Sequence, residues 1–260
     1  MKLFPRLLRC LLLCALSCSA GAHAAKLQVA AAADLKFAMD EIIAAYEKQQ
    51  PGLQVDVSYG SSGKFHAQIK QGAPFDVYFS ADIAYARDLH AQGFAASTVQ
   101  TYAFGRLVIW SRQPDAAQLQ LPDLAQARFV RIAIANPKHA PYGQRAEAAL
   151  RSLGLWDKVQ SKLVYGENIA HAAQFVQSGN AQAGILALAL AKSPALAAQG
   201  GYSLIPQNLH PPLEQGFILT KRAADNPAAK QFAAFILQET ARGILEKYGF
   251  LLPPPGKAGP

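Results

Sequence analysis

Apolar positions along the chain follow two alternating periods. Lys26 to Ala33 (KLQVAAAA) is a nearly unbroken apolar run, the pattern of a strand buried on both faces. Asp34 follows, and Leu35, Phe37 to Met39, Ile42, Ile43 and Tyr46 recur at helical spacing until Pro51-Gly52. The pattern predicts a strand, a helix N-capped by Asp34, and a stop. Leu53 to Ser58 alternates as a half-buried strand does, and a helix runs from the next turn to about Lys70. Phe75 to Ser80 is a third strand, and Ser80-Ala81-Asp82 caps a third helix.

A long apolar strand, Gly105 to Ser111, leads into a Pro- and Gln-rich stretch over Gln113–Pro122. The series then begins again. Strands are predicted at Phe129–Ala135, Leu163–Tyr165, Ala183–Leu190 and Gly216–Thr220. Helices are predicted over Gln144–Leu153, from Asn168 to about Gln177, and over Ala228–Tyr248, with a loop at Asn136–Gly143 and a tail at Phe250–Pro253. Strands alternating with helices mean βαβ units and a mostly parallel sheet. Two such series predict two Rossmann-like α/β lobes: residues 25–106 with 219–260, and residues 107–218. Crossings near Arg106 and Gly216 would form a two-strand hinge, with the cleft between the lobes.

Composition narrows this. Lys2, Arg6 and Arg9, the apolar run Leu11–Leu16, and Ala22-His23-Ala24 read as a signal peptide over residues 1–24, cleaved after Ala24. A lipoprotein signal ending at Cys18 is the alternative, with Ser17 standing where such a signal favours Gly or Ala. All three cysteines (Cys10, Cys14 and Cys18) fall in that segment, so the exported chain is expected to have no disulfide and no thiol nucleophile. The net charge of +8 becomes +5 once the three leader charges are set aside. No Lys/Arg run with interleaved aromatics stands out, which argues against nucleic acid as a partner. A modest positive field suits approach by an anion, and it also serves plain solubility.

The candidate chemistry lies at strand ends. In open α/β sheets ligands bind beyond the carboxyl ends of the strands, and Asp34, Ser61-Ser62 and Ser80-Asp82 all fall there. Tyr59-Gly60-Ser61-Ser62-Gly63 leads from a strand into the first turn of a helix, where N–H groups are unpaired and the dipole is positive. An ordinary serine-capped helix has the same composition. Ser62, His66 and Asp34 have the residue types of a hydrolase triad, but Ser62 does not sit in a G-x-S-x-G elbow. His66, His90, His139, His171 and His210 show no metal-ligand spacing such as H-x-x-x-H. Trp110 and Trp156 read as core, and Arg106 as a solvated hinge charge.

Taken in order, a set of short motifs resembles the molybdate-binding proteins of bacterial ABC importers. They are Ala31–Ala33, Gly60–Gly63 with Ala67-Gln68-Ile69, Gly72-Ala73-Pro74, Phe79–Asp82, Asn136-Pro137 with Pro141-Tyr142-Gly143, Leu153–Lys158 and Lys247–Phe250, and they span nearly all of the exported chain. The resemblance implies a periplasmic binding protein of type II fold, not an enzyme, that closes over molybdate or tungstate. It implies delivery to an inner-membrane ABC permease, a monomer in the periplasm, and no cofactor or metal beyond that oxyanion. Such proteins hold the anion with neutral N–H and O–H donors. By position the binding residues are Asp34, Ser62, Tyr142 and Ile169, while Ala187 stands where some members carry a tyrosine.

Asp34 departs from that pattern, because the family usually has Ser or Thr there. An ionised carboxylate only accepts hydrogen bonds. Two negative charges about 4 Å apart repel by ~4 kcal/mol at an effective dielectric of 20, half of the about 8 kcal/mol of a micromolar site. Three roles are open to it: a helix cap turned away from the anion, an acceptor for a protonated oxyanion, or a ligand, with Tyr142, to a metal or metal chelate.

Overall fold

The computed structural model describes residues 25–254, so the leader and its cleavage point lie outside the described residues. Among them, ten strands form two five-stranded sheets. The first sheet takes β1 (Ala25–Ala32), β2 (Leu53–Gly60), β3 (Val77–Ser80), β4 (Gln100–Gly105) and β10 (Leu213–Leu219) in the order β2-β1-β3-β10-β4. The second takes β5 (Leu107–Ser111), β6 (Ile132–Ala135), β7 (Leu163–Gly166), β8 (Ala183–Ala187) and β9 (Gly201–Leu204) in the order β7-β6-β8-β5-β9. In each sheet the first three strands are parallel, and one antiparallel strand enters from the other half of the chain: β10 beside β3, and β5 beside β8.

The helices are α1 (Lys36–Gln49), α2 (Ser62–Lys70), α3 (Ile83–Ala91), α4 (Pro141–Ser152), α5 (Trp156–Val159), α6 (Ile169–Gln177), α7 (Leu188–Ala191), α8 (Pro194–Ala197), α9 (Pro227–Ile236) and α10 (Glu239–Lys247). One apolar core covers one face of the first sheet, where Leu27, Val29, Ile42 and Tyr46 meet Phe232, Phe235 and Leu245 of the closing helices. Tyr46 packs on Phe232 and Phe235 with ring centroids 5.2 and 5.0 Å apart. The expected return of the last helices to the first lobe is therefore present. The second lobe has its own core around Trp110, Phe129, Ile134 and Leu186.

Several expectations need correction. The long strand at Gly105–Ser111 is two strands, because Arg106 alone carries the chain from one sheet to the other. The return crossing lies between Leu204 and Leu213, before Gly216. Residues 213–218, expected in the second lobe, belong to β10 and hydrogen-bond within the first sheet. The helix expected at Gln144 begins at Pro141, since proline at the first helical position lacks only an N–H that had no partner anyway. Asp34 caps no helix. After β1 the chain tightens into a 3-10 turn, Ala33–Leu35, which makes Leu35 the residue flanking α1 and draws Asp34 inward.

Candidate functional site

The strand ends that the topology brings together build the site. Ala30 to Ala33 are almost fully buried, and side chains this small let other elements approach the end of β1. Asp34 is 1% exposed. Its Oδ2 accepts a hydrogen bond from Gln215 Nε2 at 2.7 Å, while its Oδ1 is buried with no partner among the described residues. Burial pushes the carboxyl up to about 6, against the lowering effect of Gln215 and Tyr142.

Gln215, fully buried on β10, organises this corner. Tyr102 donates its hydroxyl to Gln215 Oε1 at 2.5 Å, which turns the amide nitrogen toward Asp34 Oδ2 and the Tyr142 hydroxyl, 3.2 Å away. The pairing of β10 with β4 shifts register between Gln215 and Gly216, a bulge of the kind that re-aims a side chain. Gly105 leaves the space, because a Cβ there would lie 2.2 Å from the Tyr142 hydroxyl.

Ser61 and Ser62 enter α2. The Ser61 side chain makes no capping bond; its hydroxyl donates to the His139 carbonyl at 2.5 Å, and His139 Nδ1 lies 2.9 Å from the same oxygen. Ser62 is 1% exposed, and its Oγ accepts the Ala81 N–H at 3.0 Å. That leaves the Ser62 hydroxyl hydrogen to donate elsewhere.

The second lobe contributes two helix starts. Pro141 and Tyr142 open α4 and are buried. Asn168 caps α6 by accepting the His171 N–H at 2.9 Å, so Ile169 is the first helical residue, and its N–H has no acceptor within the helix. Burial, and then the nearby Asp34, push the Tyr142 phenol well above its usual range, so it stays a neutral donor.

All four residues singled out in the sequence line one cavity: Asp34 and Ser62 from the first lobe, Tyr142 and Ile169 from the second. The cavity is small and is lined from both lobes. Gln215, Tyr102 and Ala81 were not singled out. Gly216 inside a strand was the one signal pointing to a bulge beside Gln215. Ala187 ends β8 and makes no contact with this cavity's lining that its side chain could use for hydrogen bonding.

The other candidates do not assemble. His66 Nε2 lies 2.6 Å from Asp88 Oδ2, and no hydrogen bond joins it to Ser62 among the described residues. No group of three His, Cys, Asp or Glu side chains among the described residues is placed to hold a metal ion. Trp110 is fully buried core. Arg106 is no solvated charge throughout, since its Nε is buried without a partner.

Further contacts tie the lobes around the cavity. Gly63 N–H donates to the His139 carbonyl at 3.0 Å, Arg145 pairs with Asp82 at 2.8 Å, and Lys64 pairs with Glu167. Two α/β lobes, two crossings and helix starts facing one small cavity define a solute receptor with the periplasmic binding protein fold. The chain belongs to the bacterial extracellular solute-binding protein family, whose model matches residues 27–251. It is 38% identical to the molybdate-binding protein ModA of Azotobacter vinelandii over 237 residues, 90% of this chain and 92% of that protein. It is 36% identical to ModA of Rhodobacter capsulatus, over 80% of this chain and 82% of that protein. The solved structure of the Azotobacter vinelandii periplasmic molybdate-binding protein superposes with a TM-score of 0.82 at 36% identity, covering 87% of this chain and 99% of that one.

Proposed function

We propose that this chain is an exported receptor that binds a tetrahedral oxyanion, molybdate or tungstate, and delivers it from the periplasm to an inner-membrane ABC permease. It works by closure of two lobes and performs no chemistry on its ligand. The observation that carries the reading is the convergence of Ser62, Tyr142 and Ile169, donors from both lobes, on one small cavity. A fully deprotonated oxyanion offers only acceptors, and neutral donors fixed in a low-dielectric pocket bind it without cationic side chains. Because donors come from both lobes, the anion interacts better with the closed form and shifts the population toward it. The names of the relatives favour molybdate.

Calorimetric titration with molybdate, tungstate, sulfate, phosphate and Fe(III) tests this. Molybdate and tungstate are expected to bind at micromolar affinity or better, with sulfate and phosphate at least tenfold weaker. No heat with any of the four oxyanions overturns the reading. The alternative, a different ligand recognised through Asp34 and Tyr142, is favoured by the partnerless Oδ1 of Asp34. Phosphate or Fe(III) binding more tightly than molybdate would select it.

A further inference from the structure

Three of the groups lining the cavity are placed to offer a hydrogen to an anion, and Asp34 is not. The Ser62 oxygen is occupied by the Ala81 N–H, which frees its hydrogen. The Tyr142 oxygen accepts from Gln215, and its hydrogen is within reach of the Asp34 carboxylate; a neutral Asp34 would release that hydrogen to the anion. Ile169 presents a first-turn N–H. Asp34 alone, when ionised, presents an acceptor and a negative charge to an anion that is itself all acceptors.

The surroundings of Asp34 provide no compensating cation. It forms no salt bridge among the described residues. From β10 it meets the neutral amide of Gln215, and from β4 and α4 the phenols of Tyr102 and Tyr142. Ser62 and Ile169 face it across the cavity from α2 and α6. Lys36, two residues along, pairs with Asp40 at 3.1 Å, and Lys64 pairs with Glu167, so both ammonium groups are engaged elsewhere.

The geometry also selects which carboxyl oxygen can carry a proton. Tyr102 donates to the oxygen end of the Gln215 amide, and the nitrogen end donates to Asp34 Oδ2. Oδ2 is thereby an acceptor, and Oδ1, buried and partnerless, is the free position. A hydrogen on Oδ1 turns this charged acceptor into a neutral donor.

We propose that Asp34 binds the oxyanion in its neutral, Oδ1-protonated form, so that anion binding takes up one proton from solvent. The inference rests on the oxyanion reading above. The proton adds to a carboxylate oxygen and no other bond changes. Binding raises the affinity of Asp34 for its proton, because the ionised form would stand against the anion. By linkage, anion affinity is full where Asp34 is already protonated in the free protein, and it falls up to tenfold per pH unit above that range. Burial has already raised this carboxyl, and the further rise that binding imposes sets how far the affinity falls with pH.

The test is calorimetry with sodium molybdate on wild type and Asp34→Asn, between pH 6 and 8.5, in pairs of buffers of different ionisation enthalpy. The expected result for wild type is uptake of about one proton per molybdate on the alkaline side, with affinity falling about 100-fold over two pH units there. Asp34→Asn carries a permanent donor of nearly the same shape. It is expected to bind molybdate more tightly than wild type at pH 8.5, with no buffer-dependent heat. Flat wild-type affinity without proton uptake overturns the inference and leaves the oxyanion reading standing. Uptake that persists in Asp34→Asn also overturns it, because the proton would then sit on the anion or another group. Absence of molybdate binding at every pH overturns the oxyanion reading first, and the inference falls with it.

Discussion

The hydroxyl of Ser61 and the main-chain carbonyl of His139 meet at 2.5 Å across the interlobe cleft. The same carbonyl accepts the Gly63 N–H at 3.0 Å. The first turn of α2 therefore does two jobs. Ser62 faces the cavity, while its neighbours on either side grip the opposite lobe. Cavity lining and contact with the opposite lobe fall on three consecutive residues, so a solute seated there would be coupled to the position of that lobe.

Gly63 makes that grip possible, because a Cβ there would lie 2.6 Å from the His139 carbonyl oxygen. Gly63→Ala is expected to hold the lobes apart and weaken anion binding about tenfold or more, equivalent to about 1.4 kcal/mol. The helix itself should gain, since alanine is the better helix former by about 1 kcal/mol. Thermal melting without ligand should accordingly stay level or rise while calorimetric affinity drops. A fall in both would place the damage in the fold and not in closure.

Arg145 reaches from α4 to Asp82 at the start of α3, with both side chains 15% exposed. Asp82 also accepts the Ala84 N–H at 2.9 Å, so the clean variant is at the arginine. Arg145→Met is expected to speed anion release about tenfold and to leave association little changed, as losses at closed interfaces fall mainly on dissociation. Stopped-flow fluorescence measures both rates. An equal fall in the association rate would mean that Arg145 steers the anion and does not hold the lobes.

Tyr142 lines the cavity from the second lobe, and its oxygen accepts from Gln215 Nε2 at 3.2 Å. Tyr142→Phe removes the hydroxyl and leaves one Gln215 amide hydrogen without an acceptor in a buried corner. A buried unsatisfied donor costs about 1–3 kcal/mol, so affinity should fall about ten- to 100-fold. Gly105→Ala should produce a similar loss with the hydroxyl intact, because its Cβ would crowd that oxygen and the Gln215 Nε2, 2.7 Å away. If Tyr142→Phe binds as wild type does, Tyr142 acts only as packing.

The alternation of strand and helix is legible because it rests on local periodicity, and so are the strand-end positions of Asp34 and Ser62, while Tyr142 and Ile169 come only from the family resemblance. What escaped depends on partners far along the chain. Gln215 lies 181 positions from Asp34, and apart from the neighbouring Gly216 nothing in sequence distinguishes it from a surface glutamine. The edge strands β4 and β9 are held by contacts far along the chain, such as Phe104 with Leu251 and Ser203 with the Leu119 carbonyl. Asp34 was misread as a cap because Asp before a helical pattern usually is one. The 3-10 turn that redirects it is stabilised by the buried glutamine, a tertiary effect that overrides a sound local rule.

Asp34 also makes stability depend on pH in a direction opposite to most carboxylates. Its carboxyl is raised from 3.8 to about 6 by burial, so the folded state binds this proton more tightly than the unfolded state does. The group has no effect below about pH 4, where both states are protonated. Stability is lost as pH rises through the interval up to about 6, and above it a constant penalty of about 3 kcal/mol remains. Paired carboxylates such as Glu41 and Glu167 are lowered by their lysines and act in the opposite sense, so the wild-type profile alone does not isolate Asp34. The difference between Asp34→Asn and wild type does. Without ligand, the asparagine variant should melt with wild type near pH 4 and several degrees above it from pH 6.5 upward. A difference that does not change with pH would mean that the carboxylate is hydrated in the ligand-free protein. The lobes would then open far enough to wet Asp34, and its burial would be a property of the closed state alone.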